Sequence, residues 1–185
     1  MTADSPELHT AIYSALCACL GLSPSSDASA ALIMEAYMEL ENAPQPPRTR
    51  DVIYYSLLRD DPGNDGYQIS SAESGTSFSQ KIAVSSFLSY QLIIVCYGPH
   101  AETHAHRIRS FLYLDGAGFP RAILRKAGIY PVPRPAQPLL LHEPEGSLWR
   151  KRADLMIPLK VYENTAYSKQ RGTIAAPPAV ILRSS

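Results

Sequence analysis

The chain has 185 residues, 45% of them apolar and only 18% charged, with 17 basic side chains against 17 acidic ones. That length carries one domain with a proper core plus extensions, and the balanced charge excludes a global basic field of the kind that draws a protein to nucleic acid. Three irregularly spaced cysteines exclude a disulfide scaffold and fit a reducing cytosol, the CxC of Cys17 and Cys19 being buried thiols rather than a redox pair. From the N-terminus, residues 7–20 predict a helix, with Leu8, Ile12, Ala15, Leu16 and Cys19 in one apolar stripe and Gly21 as its stop. The N-terminal stretch has no basic region and its apolar run is interrupted, so it does not read as a signal peptide. The longest apolar run, Leu92 to Tyr97, is far too short to span a bilayer.

Residues 31–40, ALIMEAYMEL, fit both an alternating strand and a helical stripe, and propensity favours helix. A proline-rich link follows at 42–48, then a β-rich strand at 51–60. The turn-dense DDPGNDG, 60–66, predicts a hairpin into GYQISSA, and 73–77 reads as a loop tip. IAVSSFLSYQLIIVCY, 82–97, is the strongest strand signal: Leu88, Tyr90, Leu92, Ile94 and Cys96 share one face. Gly98-Pro99 breaks it, and a helix to about Leu114 presents Ala101, Ala105, Ile108 and Leu112 inward. A short helix at 119–127 is closed by Gly128, and the proline-rich IYPVPRPAQP reads as an edge strand or loop. The last strand, 148–162, turns Trp149, Ala153, Leu155, Ile157, Leu159 and Val161 to one face. Arg150, Arg152, Asp154, Lys160 and Tyr162 lie on the other face, with Met156 its apolar member. Pro158 lacks a ladder donor and belongs at an edge or a bulge. The polar C-terminal segment from Asn164, with its apolar patch Val180 to Leu182, reads as an arm ordered against a partner.

Chemistry-bearing motifs are sparse. His100 and His104 share a helix face, but His106, at ~100° per residue, points away from them. A zinc site would need a third ligand, with Glu102 or Cys96 the candidates, and HAETH does not have the spacing of HExxH. There is no GxSxG, P-loop or GxGxxG, and DGAGF follows a helix rather than a strand. Asp60-Asp61 reads as a solvated turn. Arg150, Arg152 and Lys160 form a small basic face of the sort that can touch a phosphate backbone. These readings predict no enzyme, no metal and no cofactor.

The ordered pieces of the chain resemble the neck or tail terminator (tail completion) proteins of tailed bacteriophages and prophages. NAPQPP followed by VIYYSLL is similar to an early "NAPRPP" link into a strand. SFLSYQLIIVCYG resembles that family's central strand ending in tyrosine-glycine, and AETHAHRIRSFL its following helix. AILRKAGIYPV resembles a helix-to-strand passage, and LWRKRADLMIPLKVY a "W..RADL.I" strand carrying Trp149, Arg152, Ala153, Asp154 and Leu155. The pieces span residues 42–162; the histidine-rich helix start and the tail from 163 match nothing in it.

The resemblance implies an α+β fold, a small mixed, mainly antiparallel sheet with helices packed on one face, as a single domain over 1–162 and a C-terminal arm over 163–185. It favours strand over helix for residues 31–40. The implied role is structural: a subunit of a homohexameric ring that caps the tail tube and joins it to the head connector. Its partners would be further copies of itself, the tail tube protein, the head-tail connector or stopper protein, a sheath where the tail has one, and genomic DNA passing through the lumen. It would be assembled in the bacterial cytoplasm and reside in the virion. Arg150, Arg152, Asp154 and Lys160 are the expected subunit or partner interface, with Arg150, Arg152 and Lys160 at the lumen if their strand face points inward. Two other classes stay open: a metal-dependent hydrolase using His100 and His104, and a small nucleic-acid-binding module using Arg150, Arg152 and Lys160.

Overall fold

The computed structural model describes residues 6–36, 49–60, 65–73, 79–116, 118–133, 137–145 and 148–170. The expectations for the link at 42–48, the end of 31–40, the tip at 74–77 and the tail from 171 lie outside them. In chain order the elements are α1 (Pro6–Leu20), α2 (Asp27–Leu32), β1 (Ile33–Glu35), β2 (Val52–Arg59), β3 (Gly66–Glu73), β4 (Ser79–Tyr97), α3 (Ala101–Leu112), α4 (Pro120–Lys126), β5 (Ile129–Pro131), β6 (Leu139–Glu145) and β7 (Leu148–Gln170). The fold is α+β, with a mixed, mostly antiparallel open sheet.

The chain divides into two compact units: Met1–Gly66 with Ser86–Glu163, and Tyr67–Ser85 with Asn164–Ser185. Strand β7 runs on to Gln170, where the sequence reading ended the strand at 162 and began an arm at 163. The second unit also takes residues 67–85, which the sequence reading kept in the main domain. In that unit β3 pairs with β4.

In the first unit the sheet runs β1-β2-β4-β7-β5, and β6 also pairs with β7. Strand β1 is parallel to β2 and aligns Ile33 with Ile53. Strand β2 is antiparallel to β4, aligning Ile53 with Cys96 and Tyr55 with Ile94, so the buried residues of both strands face the same way. The predicted hairpin across 60–66 is therefore not formed, because β2 and β3 both pair with β4. Asp60 and Asp65 both reach Ser89 of β4: its carbonyl accepts from Asp60 N at 3.0 Å, and its N–H donates at 2.8 Å to the Asp65 carboxylate, which also accepts from Arg59 Nη2 at 2.7 Å. Turn residues mark an interruption of the chain as readily as a reversal.

Residues 31–36 divide between the two structures that the pattern of 31–40 allows. Ser26 caps a one-and-a-half-turn helix, its hydroxyl accepting from Ser29 N at 3.2 Å. The chain turns extended at Ile33, which is buried beside Ile53.

Helix α1 packs against α3 and α4 on one face of the sheet. The predicted stripes Leu8, Ile12, Ala15, Leu16, Cys19 and Ala101, Ala105, Ile108, Leu112 are buried in full. They meet Leu88, Tyr90, Leu92, Ile94 and Cys96 of β4 and Ala153, Leu155, Ile157, Leu159 and Val161 of β7 in a single core. Gly21, with φ +73°, ends α1, and Arg107 Nε donates to the Cys19 carbonyl at 3.0 Å, satisfying one of the last carbonyls of that helix.

The sequence placed Pro158 at an edge or a bulge; it lies instead inside β7, which runs between β4 and β5. Strand β5 covers β7 from Leu159 to Val161, and β6 covers it from Leu148 to Asp154, on the same side. The Pro158 carbonyl accepts from Val132 N at 2.9 Å, and its missing N–H falls in the gap between the two strands.

Trp149 is a correction. Its parity matches Leu155 and Ile157, yet it is 68% exposed. The alternation continues along β7, but core cover begins only at Ala153: Lys151 is exposed as well, and Trp149 faces Pro144 across the hairpin.

Candidate functional site

All the sequence-predicted site residues but Lys160 gather at the C-terminal end of β4, where Tyr97, Gly98 and Pro99 lead into α3. Gly98, at φ +112°, is packed so closely that a Cβ there would meet Asp51 Oδ1 at 2.5 Å and the Arg50 carbonyl at 2.8 Å. This closeness puts Asp51, the residue before β2, over the start of α3. One Asp51 carboxylate oxygen accepts from the His100 backbone N–H at 2.9 Å. The other lies 2.8 Å from His100 Nδ1 and 3.6 Å from His104 Nε2.

His100 and His104 thus share a face as predicted, and what they share is Asp51, 49 residues upstream of His100. The sequence reading missed it; only the turn into β2 and the tight Gly98 bring it there. His106 points elsewhere, 3.9 Å from Glu102. Burial alone would raise the Asp51 pKa, but the backbone and ring hydrogen bonds from His100, with the charge of His104, hold it below the usual carboxylate value. Cys96, the other suggested ligand, is buried, and burial pushes its thiol up to about 12, so it is no thiolate at neutral pH. Among the described residues no group of three His, Cys, Asp or Glu is arranged to hold a metal ion. Asp51 acts here as a remote cap for α3, whose own N-cap residue, His100, makes no side-chain capping bond.

The sheet face opposite the helices carries the second cluster, built around the Tyr97 ring. Arg150 lies over that ring at 4.6 Å and Arg152 at 5.6 Å, and Tyr54 meets it edge-on at 6.1 Å. Arg152 forks onto Asp154, Nε to Oδ1 at 2.7 Å and Nη2 to Oδ2 at 2.8 Å, with Glu143 Oε2 3.4 Å from Nη1. The Asp154 hydrogen bonds, joined by the nearby negative groups, raise the Arg152 pKa further above its already high value. Burial raises the Tyr97 pKa, and its hydrogen bond to Glu143 adds to this. Arg150 is only 8% exposed, and its Nε and Nη2 have no hydrogen-bond partner among the described residues.

The four predicted interface residues are therefore not one patch. Arg150, Arg152 and Asp154 are together at Tyr97. Lys160 is eight residues along β7, ~26 Å away at ~3.3 Å per residue, donating to Ser89 Oγ at 2.5 Å. Arg152 is neutralised within the subunit and Arg150 is covered, so the three cations do not form an exposed basic stripe. What the open face does expose is apolar: Leu58, Phe87, Tyr130, Leu139, Leu141, Met156 and Tyr162. Among them Phe87 packs against Tyr162 at 5.2 Å and Tyr130 at 6.2 Å.

No protein-family model and no curated protein matches the chain.

Proposed function

We propose that this chain is a structural subunit of a phage neck, a tail terminator whose ring caps the tail tube and presents the docking surface for the head connector. The observation that carries the reading is the ordered set of motifs from Asn42 to Tyr162, with Trp149 and the Arg152-Ala153-Asp154-Leu155 run in place. An α+β fold with helices on one sheet face is what that resemblance leads one to expect. The exposed apolar residues of the other face suit a surface that a neighbour covers.

A stack of identical tube rings presents the same surface after every addition, so growth stops only when a different ring covers it. A terminator must match the tube on one face and differ from it on the other. With Arg152 paired to Asp154 and Arg150 stacked over Tyr97, this reading assigns the cluster to protein contacts rather than to the DNA in the lumen. Deleting the gene in a producing strain, followed by electron microscopy, tests it. The expected particles have tails of irregular, often excessive length, unattached to filled heads. Tails of normal length joined to heads would refute the assignment.

A further inference from the structure

The two arginines at Tyr97 use the same kind of edge in opposite ways. Arg152 presents Nε–H and Nη2–H side by side to the Asp154 carboxylate, at 2.7 and 2.8 Å. Arg150, two residues earlier on the same face of β7, keeps those same two atoms buried and without a partner among the described residues. A guanidinium cannot shed its proton to relieve that state, and unmet charged donors away from water are costly. The opposite residue in register, Glu143, does not supply the acceptor: its carboxylate is turned to Arg152 and Tyr97.

We propose that Arg150 is a receptor for a carboxylate, which its Nε–H and Nη2–H edge takes side-on above the Tyr97 ring, as Arg152 takes Asp154. Two parallel N–H donors match the two oxygens of a planar carboxylate. Leu141, exposed on the same sheet face, lies opposite Arg152 in register, so the acid arrives beside one apolar side chain and the Arg152–Asp154 couple. The carboxylate comes either from a small free acid or from an acidic side chain of a second copy of this chain. Entry requires the half-exposed Glu143 side chain to turn aside. The inference does not depend on the neck assignment, since it concerns one side chain and its missing acceptor.

The test is nuclear magnetic resonance of the arginine Nε–H groups in the full chain, assigned by side-chain correlation. Acetate is titrated at constant ionic strength against chloride, with inorganic phosphate in a parallel series. A saturable shift of the Arg150 Nε–H with acetate, with Arg152 unmoved, supports the site and a free acid as its source. A shift with protein concentration alone, accompanied by self-association that Arg150→Lys reduces at least tenfold, supports the second copy. Arg150→Lys keeps the charge and loses the fork, and its backbone spectrum reports whether it folds. A response to phosphate without one to acetate overturns the proposal. So does an Arg150 signal that none of these conditions moves, which would mean that water or Glu143 serves the edge in solution.

Discussion

The helix-covered face of the sheet and its open face are made by alternate residues of the same strands. On β7 the covered face reads Ala153, Leu155, Ile157, Leu159, Val161, all fully buried. The open face reads Arg150, Arg152, Asp154, Met156, Pro158, Lys160, Tyr162, and mixes a covered arginine, a paired ion couple and exposed apolar groups. The first face is completed within the chain, since every side chain meets the helix layer. The second is half completed: some groups are satisfied internally, and others are left for something outside. A periodic pattern identifies a face that closes on itself, but what an unclosed face will do depends on cross-strand neighbours that the pattern does not name.

The sharpest test of this contrast is a charge placed on the covered face. Ile157→Asp buries a carboxylate with no partner and is expected to cost roughly 3–5 kcal/mol, read as a loss of the cooperative transition or a large fall in its denaturant midpoint. A variant that melts like the parent would mean that Ile157 does not sit beneath the helices. On the open face, Asp154→Ala should cost less, about 1–2 kcal/mol, because the couple is partly exposed and Arg152 retains Glu143 and the Tyr97 ring. On the neck reading, the chain should stay folded while ring assembly weakens. Complete unfolding would move this pair to the closed side of the comparison.

Arg150→Met sharpens the comparison by changing its sign. It removes a covered cation with two donors unmet among the described residues and keeps apolar bulk against Tyr97. The isolated chain should gain about 1 kcal/mol, measured by chemical denaturation. A loss of similar size would show that Arg150 has an internal acceptor in solution.

These differences also mark what was legible in the sequence. The helices over 6–20 and 101–112, the β4 face from Leu88 to Cys96 and the β7 alternation all follow from period and composition, because each is a local pattern with one solution. The β2 partner was not legible: turn residues at 60–66 marked a break without saying which strand lay beyond it. Trp149 was placed inward because parity carries no information about how far the helix layer extends. The union of His100 and His104 was visible as spacing, but Asp51 was not, since it arrives through the packing of Gly98. The burial of Arg150 depends on Tyr97, from another strand, and no reading along β7 alone shows it.

Asp51 gives a smaller, pH-dependent effect at the junction of the two faces. Its pKa is lowered in the folded chain, so it binds a proton less readily there than in the unfolded chain, where ~3.9 is usual. Its contribution is therefore fully present above that value and disappears as pH falls through the lower folded value. Asp51→Asn keeps an oxygen for the His100 N–H but loses the negative charge beside His100 and His104, and should cost about 1 kcal/mol or less at neutral pH. The gap between variant and parent should narrow as pH falls below the usual carboxylate value. A gap that stays constant from pH 7 to pH 2 would show that the carboxylate charge has no part in the cap.

The smallest effect on the isolated chain is expected at Trp149, the largest side chain on the exposed part of β7. At 68% exposure, with Leu140 also exposed on the facing strand, it contributes little to the core of its own subunit. Trp149→Ser should change stability by less than about 0.5 kcal/mol, against several for Ile157→Asp at the same strand parity. A tryptophan left in water opposite Pro144 is an unusual expense of apolar surface. On the neck reading it is the part of the hairpin that a neighbouring subunit covers, where buried tryptophans contribute most to association. The variant should therefore keep the parent's melting temperature and lose assembly, seen as monomer by sedimentation at concentrations where the parent forms rings. If Trp149→Ser instead destabilises the monomer by 2 kcal/mol or more, an amount typical of core truncation, the covered face extends to the start of β7 and the contrast between the two faces begins further along the chain.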